Sequence, residues 1–321
     1  MLFAAAFVLS CLLVVLLIPP FRKLAVAIDF VDKPRPGVER KIHREPIPLT
    51  AGIAIFIGFY AAYFAFTGAE ITAKSAAIFG GSLLILAVGL VDDWFKTRGK
   101  ELSSLPKMVV QVAAALIVYS SGIAFTGFSN PINGDYVVLP EWLQLVLTIL
   151  WIFGVTTVIN FSDGIDGLAG GLSAISGGTL FIVAMTMGQS DSALLSAVLV
   201  GAAIGYLRYN KPPARVFMGD AGATFLGFML GIIALDGAFK GATLASLFVP
   251  IFALGVPIFD NVIVVIRRLL SRKPIYQADA SQAHYRLLAT GLNQKQTLVF
   301  LCLLNLVFGL TAIIITLKSG A

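Results

Sequence analysis

Apolar residues run along this chain in stretches of about 20, parted by only short polar breaks. As a helix, a stretch of that length crosses a hydrocarbon core of roughly 30 Å while keeping its backbone hydrogen bonds to itself. Ten such runs are read at 1–20, 48–67, 75–91, 107–124, 141–159, 167–187, 191–208, 219–236, 242–268 and 296–317, with an eleventh as the alternative count. The ninth is long and holds Pro250 and Pro257, so it is predicted to be kinked or broken, since proline removes an N–H and crowds the preceding turn. The pattern predicts an all-α, polytopic integral membrane protein: a single transmembrane domain over 1–321, with about ten helices. The first run has no basic segment before it and no convincing small-residue cleavage site after it, so it reads as a retained helix.

Composition agrees and narrows the class. With 58% hydrophobic and 12% charged residues, the 321-residue chain is neither a soluble domain nor a disordered one. Its two cysteines, Cys11 and Cys302, fall inside apolar runs and imply no disulfide framework and no thiol chemistry. A net charge of +6 does not make a nucleic-acid surface, because the basic residues are spread over membrane loops. Numbering the loops alternately puts 20 Lys and Arg on one face, from Arg22 and Lys23 to Arg286 and Lys295. The other face has three, Lys74, Lys240 and Lys318. By the positive-inside rule the first face is cytoplasmic, and both termini point outward.

Chemistry gathers on that same face. A charge at a helix centre costs roughly 2.5 to 3.5 kcal/mol on insertion scales, so acids at span ends need partners or a task. In NFSDGIDGLAGG, 160–171, Asn160 closes the fifth span and Asp163 lies in the connection. Asp166 opens the sixth, where unsatisfied N–H groups favour an anion. Helix capping is the plain alternative, but it accounts for one acid rather than all three groups. Gly164 and Gly167 leave room for a ligand to approach. Asp92 and Asp93 end the third span side by side. Neighbouring carboxylates raise each other's proton affinity unless a cation is near, which suits a metal environment or a general base as well as a simple polar terminus. Carboxylates without cysteine point to Mg²⁺, with Mn²⁺ as the alternative, rather than to zinc.

Asp220 opens the eighth span, and Phe217, three residues earlier at the water boundary, has the choice of stacking on a base or anchoring the interface. Lys107 is placed either to snorkel or to contact phosphate. His284 and Arg286 occupy the largest late loop, where a lone histidine is more often structural and an arginine suits bidentate phosphate contact. Asp260 lies two turns before Arg267, and the plain reading is a pair within the ninth helix. A site at one membrane face fits a water-soluble substrate from the cytosol and a lipid from the side, whereas a transporter more often holds ionisable groups near the midplane.

Six segments in order then resemble one family: Asp32-Lys33-Pro34 with Arg40-Lys41-Ile42-His43 and Pro46-Ile47-Pro48, GLVDDWF at 89–95, LPKMVVQ at 105–111, NFSDGIDGLAGG, RVFMGDAG at 215–222 and PIFDNVIVVIRR at 257–268. Nearly the whole chain is similar to the polyprenyl-phosphate N-acetylhexosamine-1-phosphate transferases. The resemblance implies a multi-pass protein of a bacterial-type cytoplasmic membrane. It implies Mg²⁺-dependent attack of a polyprenyl phosphate on a UDP-sugar, giving polyprenyl-diphosphate-sugar and UMP in the first membrane step of cell-envelope glycan synthesis. It also implies Asn160 and Asp220 as metal ligands with Asp163 close by, and Asp166, Asn210 and Phe217 in a uridine pocket. Lys107 then stands near the diphosphate, and Asp92 or Asp93 deprotonates or positions the lipid phosphate. The partners implied are the UDP-sugar, the polyprenyl phosphate, membrane lipids and, left open, a second copy in a homodimer, with no nucleic acid.

Two segments depart from the family pattern. The usual His-x-His-His-Arg reads Gln282, Ala283, His284, Tyr285, Arg286, which unsettles the diphosphate-side role of that loop. Pro48-Leu49-Thr50-Ala51-Gly52 replaces a more usual Pro-Arg-Leu-Gly-Gly. HYRLLATGLNQKQ at 284–296 resembles the HexNAc-phosphate branch, so UDP-GlcNAc is the expected donor and UDP-MurNAc-pentapeptide the alternative. A membrane prenyltransferase would need further acids where Lys96 and Thr97 stand; a transporter and a catalytically impaired homologue are the other competing readings.

Overall fold

A computed structural model describes residues 1–34, 45–68, 70–100, 102–130, 135–238, 247–272 and 281–318. The segment Arg40-Lys41-Ile42-His43 lies outside the described residues. In chain order the helices are α1 (Leu2–Ala27), α2 (Ala51–Phe66), α3 (Ala73–Thr97), α4 (Ser104–Ser120), α5 (Glu141–Phe161), α6 (Leu168–Thr186), α7 (Ser190–Asn210) and α8 (Gly219–Ile233). A π-helical turn, Ala234–Ala238, continues α8, and α9 (Phe248–Ala253), α10 (Gly255–Leu270), α11 (Ala283–Ala289) and α12 (Gln294–Lys318) follow. Two short antiparallel pairs complete the fold: β1 (Val31–Asp32) with β2 (Ile47–Pro48), and β3 (Gly127–Ser129) with β4 (Tyr136–Val138).

This is an all-α polytopic membrane architecture. Seven of the described helices are long and apolar enough to cross a membrane: α1, α3, α5, α6, α7, α12 and α8 with its π turn. The second and fourth predicted runs form apolar helices of 16 and 17 residues, and the ninth is split. In those three the apolar run is longer than the straight helix it forms.

The split falls at Leu254, between the two prolines. Pro257 has no N–H to offer the Ala253 carbonyl, so the ladder is interrupted there. A broken helix inside lipid requires substitute partners. Asn305 of α12 supplies one: its Oδ1 accepts the Val256 N–H at 3.0 Å while its Nδ2 donates to Ser176 Oγ of α6 at 3.1 Å.

Small residues set how closely the helices approach, as expected where lipid offers no hydrophobic drive between them. Gly201 and Gly205 of α7 lie against the α1 backbone, where added Cβ atoms would come within 2.3 Å of the Phe7 carbonyl and 2.7 Å of the Cys11 carbonyl. Gly227 of α8 meets Thr156 Cα of α5 in the same way, at 2.8 Å. As a result α8 is the central strut: 94% of its spanning window is buried, against 22% for α1 and α12. Phe225 and Phe228 are fully enclosed around it.

At the end of the bundle where α8 runs into its π turn, Asp236 is buried and accepts from Lys74 Nζ of α3 and Ser192 Oγ of α7, both at 2.7 Å. The starts of α3 and α7 are thereby fixed to the end of α8.

Candidate active site

The opposite end collects every candidate residue named above. α3 arrives with Asp92, Asp93 and Lys96, and α8 departs with Asp220. Gly89 permits the contact: a Cβ there would stand 2.4 Å from Ala221 Cα. Asp93 then caps α8 from outside, taking the Asp220 N–H on Oδ1 at 2.9 Å and the Ala221 N–H on Oδ2 at 3.1 Å. These are two of the amide groups that a helix start leaves without partners. Gly219, at φ +66°, makes the turn into α8, and a side chain there would strike the Asp93 carboxylate.

Asp92 is fully buried and differently engaged. Its Oδ1 accepts the Leu102 N–H at 3.0 Å, and its Oδ2 meets Lys96 Nζ at 2.9 Å and Lys107 Nζ at 3.1 Å. Lys96 Nζ also lies 2.5 Å from Asp220 Oδ1, and Lys107 Nζ 3.7 Å from Asp220 Oδ2. Two carboxylates and two ammonium groups thus form one cluster joining α3, α4 and α8. Lys96 is a member of this cluster that the sequence analysis does not count among the candidate site residues. Its spacing of four from Asp92 on one helix was the available signal.

α5 and α8 run antiparallel, with Gly231 beside Ile152 and Gly227 beside Thr156 and Ile159, so Asn160 reaches the same end as Asp220. Asp163 follows in the connection. Loss of hydration, with the Asp220 and Asp166 carboxylates nearby, pushes its carboxyl up to about 7 against the pull of Lys96.

A second tie joins this connection to the 211–218 loop. Asn210, expected in the uridine pocket, is buried with both polar side-chain atoms engaged: Oδ1 accepts the Gly167 N–H at 2.8 Å and Nδ2 donates to the Val216 carbonyl at 3.0 Å. Asp166 Oδ2 accepts the Ala214 N–H at 2.8 Å. Phe217 is held by its backbone, its N–H on the Pro48 carbonyl at 2.8 Å and its carbonyl receiving the Ala51 N–H at 3.2 Å. That gives the departing segment 48–52 a packing role. Leu49 is buried where the family pattern has Arg, and a Cβ on Gly52 would lie 2.6 Å from Gly222 N.

His284 enters from α11 and is 1% exposed. Gly164 makes room for it, since a Cβ there would lie 2.0 Å from His284 Nε2, and that nitrogen has no hydrogen-bond partner among the described residues. Burial, and the Arg286 charge, pull its imidazole down to about 4, so it is neutral at pH 7. Asp260 corrects the sequence reading. Arg267 on its own helix acts on it by charge alone, whereas its direct contacts are the Ala283 N–H at 2.8 Å and Arg286 Nη2 at 2.9 Å, both of which it accepts and which tie α11 to α10. An acid on a helix facing a folded-back partner is better satisfied across the gap than two turns along. Beside it, a small groove opens between α5 and α10, with Val158, Phe161 and Val264 as walls and Asp260, Arg268 and Gln282 as its polar part.

A divalent cation fits this donor set. Among the described residues no three His, Cys, Asp or Glu side chains are grouped to hold a metal unaided. Mg²⁺, however, takes one or two carboxylates plus waters and substrate phosphates. Asp92 and Asp220 are hard oxygen donors that already share a cation, the Lys96 ammonium.

Comparison with known proteins adds a separate finding. The family described as "Glycosyl transferase family 4" matches residues 75–238. The chain is 38% identical over 315 residues to a Bacillus subtilis (strain 168) protein named as a probable undecaprenyl-phosphate N-acetylglucosaminyl 1-phosphate transferase, covering 98% of this chain and 85% of that one. It is 28% identical over 311 residues to the decaprenyl-phosphate N-acetylglucosaminephosphotransferase of Mycobacterium tuberculosis H37Rv, covering 88% and 75%. Over 242 residues it is 30% identical to the phospho-N-acetylmuramoyl-pentapeptide-transferase of Listeria welshimeri, covering 73% of each.

Proposed function

This chain belongs to glycosyl transferase family 4, and on that premise we propose that it transfers N-acetylglucosamine 1-phosphate from UDP-GlcNAc to undecaprenyl phosphate at the cytoplasmic face, releasing UMP. The observation that carries the reading is the cluster of Asp92, Lys96, Lys107 and Asp220 at the end where Asp163, Asp166 and Phe217 also gather. The named activities of the similar Bacillus and Mycobacterium proteins support the choice of sugar.

In this reaction an oxygen of the lipid phosphate attacks the sugar-bearing phosphorus of the donor. A new P–O bond forms, the bridge to UMP breaks, and UMP leaves with the bridging oxygen. Lys107, rooted beside Asp92, holds donor phosphate oxygens by charge. Phe217, fixed by its backbone to Pro48 and Ala51, stacks on uracil, and Asp166 with Asn210 keeps that pocket's two loops together. Asp92 positions the acceptor phosphate, and Asp93 positions Asp220 by capping α8. His284 offers its Nε2 toward the loop around Gly164. The acceptor reaches the site along the groove between α5 and α10, its chain against Val158 and Phe161. Asp220 with Asn160 would hold Mg²⁺, which when bound would supply positive charge against the diphosphate.

The test is direct. Purified protein in detergent, given undecaprenyl phosphate, Mg²⁺ and UDP-GlcNAc, is expected to release UMP, and EDTA is expected to stop it. UDP-MurNAc-pentapeptide is expected to be a far poorer donor. Turnover of that donor alone, or UMP release unaffected by chelation, would remove the corresponding part of the reading.

A further inference from the structure

Lys96 Nζ lies between the two acids that α3 and α8 bring together, 2.9 Å from Asp92 Oδ2 and 2.5 Å from Asp220 Oδ1. Lys107 touches the same acids, but only Asp92 closely, at 3.1 Å against 3.7 Å for Asp220. The remaining acid of the trio, Asp93, has turned both oxygens to the amides at the start of α8. Within the cluster, Asp92 and Asp220 meet two ammonium groups directly, and Asp93 and Asp163 lie within electrostatic reach of Lys96.

A divalent cation drawn to these oxygens meets an occupied seat. It has to displace an ammonium from Asp220 Oδ1 and then sit beside positive charge that the two acids no longer neutralise. A lysine can give way in this manner. Its charge rides on a flexible four-carbon stem, and Lys96 is anchored one turn along the same helix from Asp92, so its head can swing while its backbone stays put. The negative charge missing from the new arrangement is what a diphosphate carries.

We propose that Lys96, anchored on Asp92, is an internal counter-ion that competes with the divalent cation for Asp220, so that the protein takes its metal together with the donor's diphosphate, to which the displaced ammonium then turns. The inference rests on the metal reading under Proposed function and adds a positioning residue and an order of binding. It requires metal and nucleotide to bind with positive coupling, and that coupling to be carried by the charge on Lys96.

The experiment uses the full chain in detergent, with Mn²⁺ as probe and its unbound fraction read by electron paramagnetic resonance, with and without UDP. Lys96→Met and Lys96→Gln both remove the charge, so one serves if the other fails to fold, and Lys96→Arg keeps it. Without nucleotide, the neutral variants are expected to bind Mn²⁺ about tenfold more tightly than the parent protein, because an adjacent positive charge has gone. The Arg variant is expected to stay near the parent value. UDP is expected to tighten Mn²⁺ binding strongly in the parent and much less in the neutral variants. Equal or weaker Mn²⁺ binding by the neutral variants would overturn the inference and leave the proposed function standing. Failure of every protein to bind Mn²⁺, even with UDP, would overturn both.

Discussion

The two ends of the bundle each join α3 to α8 through a lysine and an aspartate, and they do it differently. At one end Asp236 takes Lys74 and Ser192, each at 2.7 Å, in the buried turn that closes α8. At the other end Lys96 and Lys107 are shared between Asp92 and Asp220, with contacts from 2.5 to 3.7 Å, and His284 Nε2 has no hydrogen-bond partner among the described residues. Two short contacts to one buried acid make a clasp, with the exposed Asp191 carboxylate only a looser neighbour of Lys74 at 3.6 Å. Shared contacts and an unsatisfied buried nitrogen make a place where a ligand can improve on what the protein supplies, because a buried polar group without a partner is costly until something meets it.

The comparison breaks most sharply in a pair of matched substitutions. Asp220→Asn is expected to lower kcat by about a thousandfold, the scale on which loss of a group stabilising transition-state charge is felt, while the melting temperature in detergent stays near the parent value. Asp236→Asn is expected to do the reverse. Stability falls by about 2 to 3 kcal/mol, less than for a wholly buried pair because Lys74 reaches water, and the folded fraction keeps its kcat. If both variants lost the same property, the two ends would not differ in kind.

A pH series sharpens it next. With its folded value drawn from 6.5 down to about 4, His284 stays neutral in the folded protein while the unfolded chain takes up a proton below pH 6.5. Its contribution is therefore present above pH 6.5 and is lost as pH falls towards 4, by an amount of about 3 kcal/mol. Melting temperatures of the parent are expected to drop over that window more steeply than those of His284→Asn. Parallel curves would mean that the imidazole is already protonated or paired.

The smallest effect concerns the uridine pocket. Phe217→Ala is expected to raise the KM for UDP-GlcNAc by about tenfold with kcat little changed, since stacking on a base contributes about 1 to 3 kcal/mol to binding. An unchanged KM would leave that ring as packing.

Much of this was legible before any coordinates, for one reason. Asp92, Asp93, Asp163, Asp166 and Asp220 stand out against long apolar runs, and charges in that setting are retained for cause. The prolines of the ninth run announced its break in the same way. What remained hidden was partnership. Asn305 and Asp236 are single polar residues in apolar stretches, and their partners Ser176 and Lys74 lie 129 and 162 positions away. Asp260 was matched to Arg267 because helical spacing compares a residue only with its own helix, whereas α11 folds back to present Arg286. Lys96 was overlooked because a lysine ending a membrane helix usually has no further task. Asn210 and Asp93 stand out in the sequence as polar residues at span ends, but spacing does not distinguish a group that touches a ligand from one that holds a loop or caps a helix, as these two do.

One consequence follows from the enclosure of α8. A helix with almost no surface turned to lipid feels a change in bilayer thickness only through its neighbours, while peripheral helices such as α1 and α12 can tilt to absorb the mismatch. Asp220 is mounted on the sheltered member, so its distance from the α3 acids is insulated from the mechanics of the surrounding sheet of lipid. Reconstitution in short-chain or long-chain phospholipids should therefore alter how readily the greasy acceptor arrives well before it disturbs the geometry around Asp220.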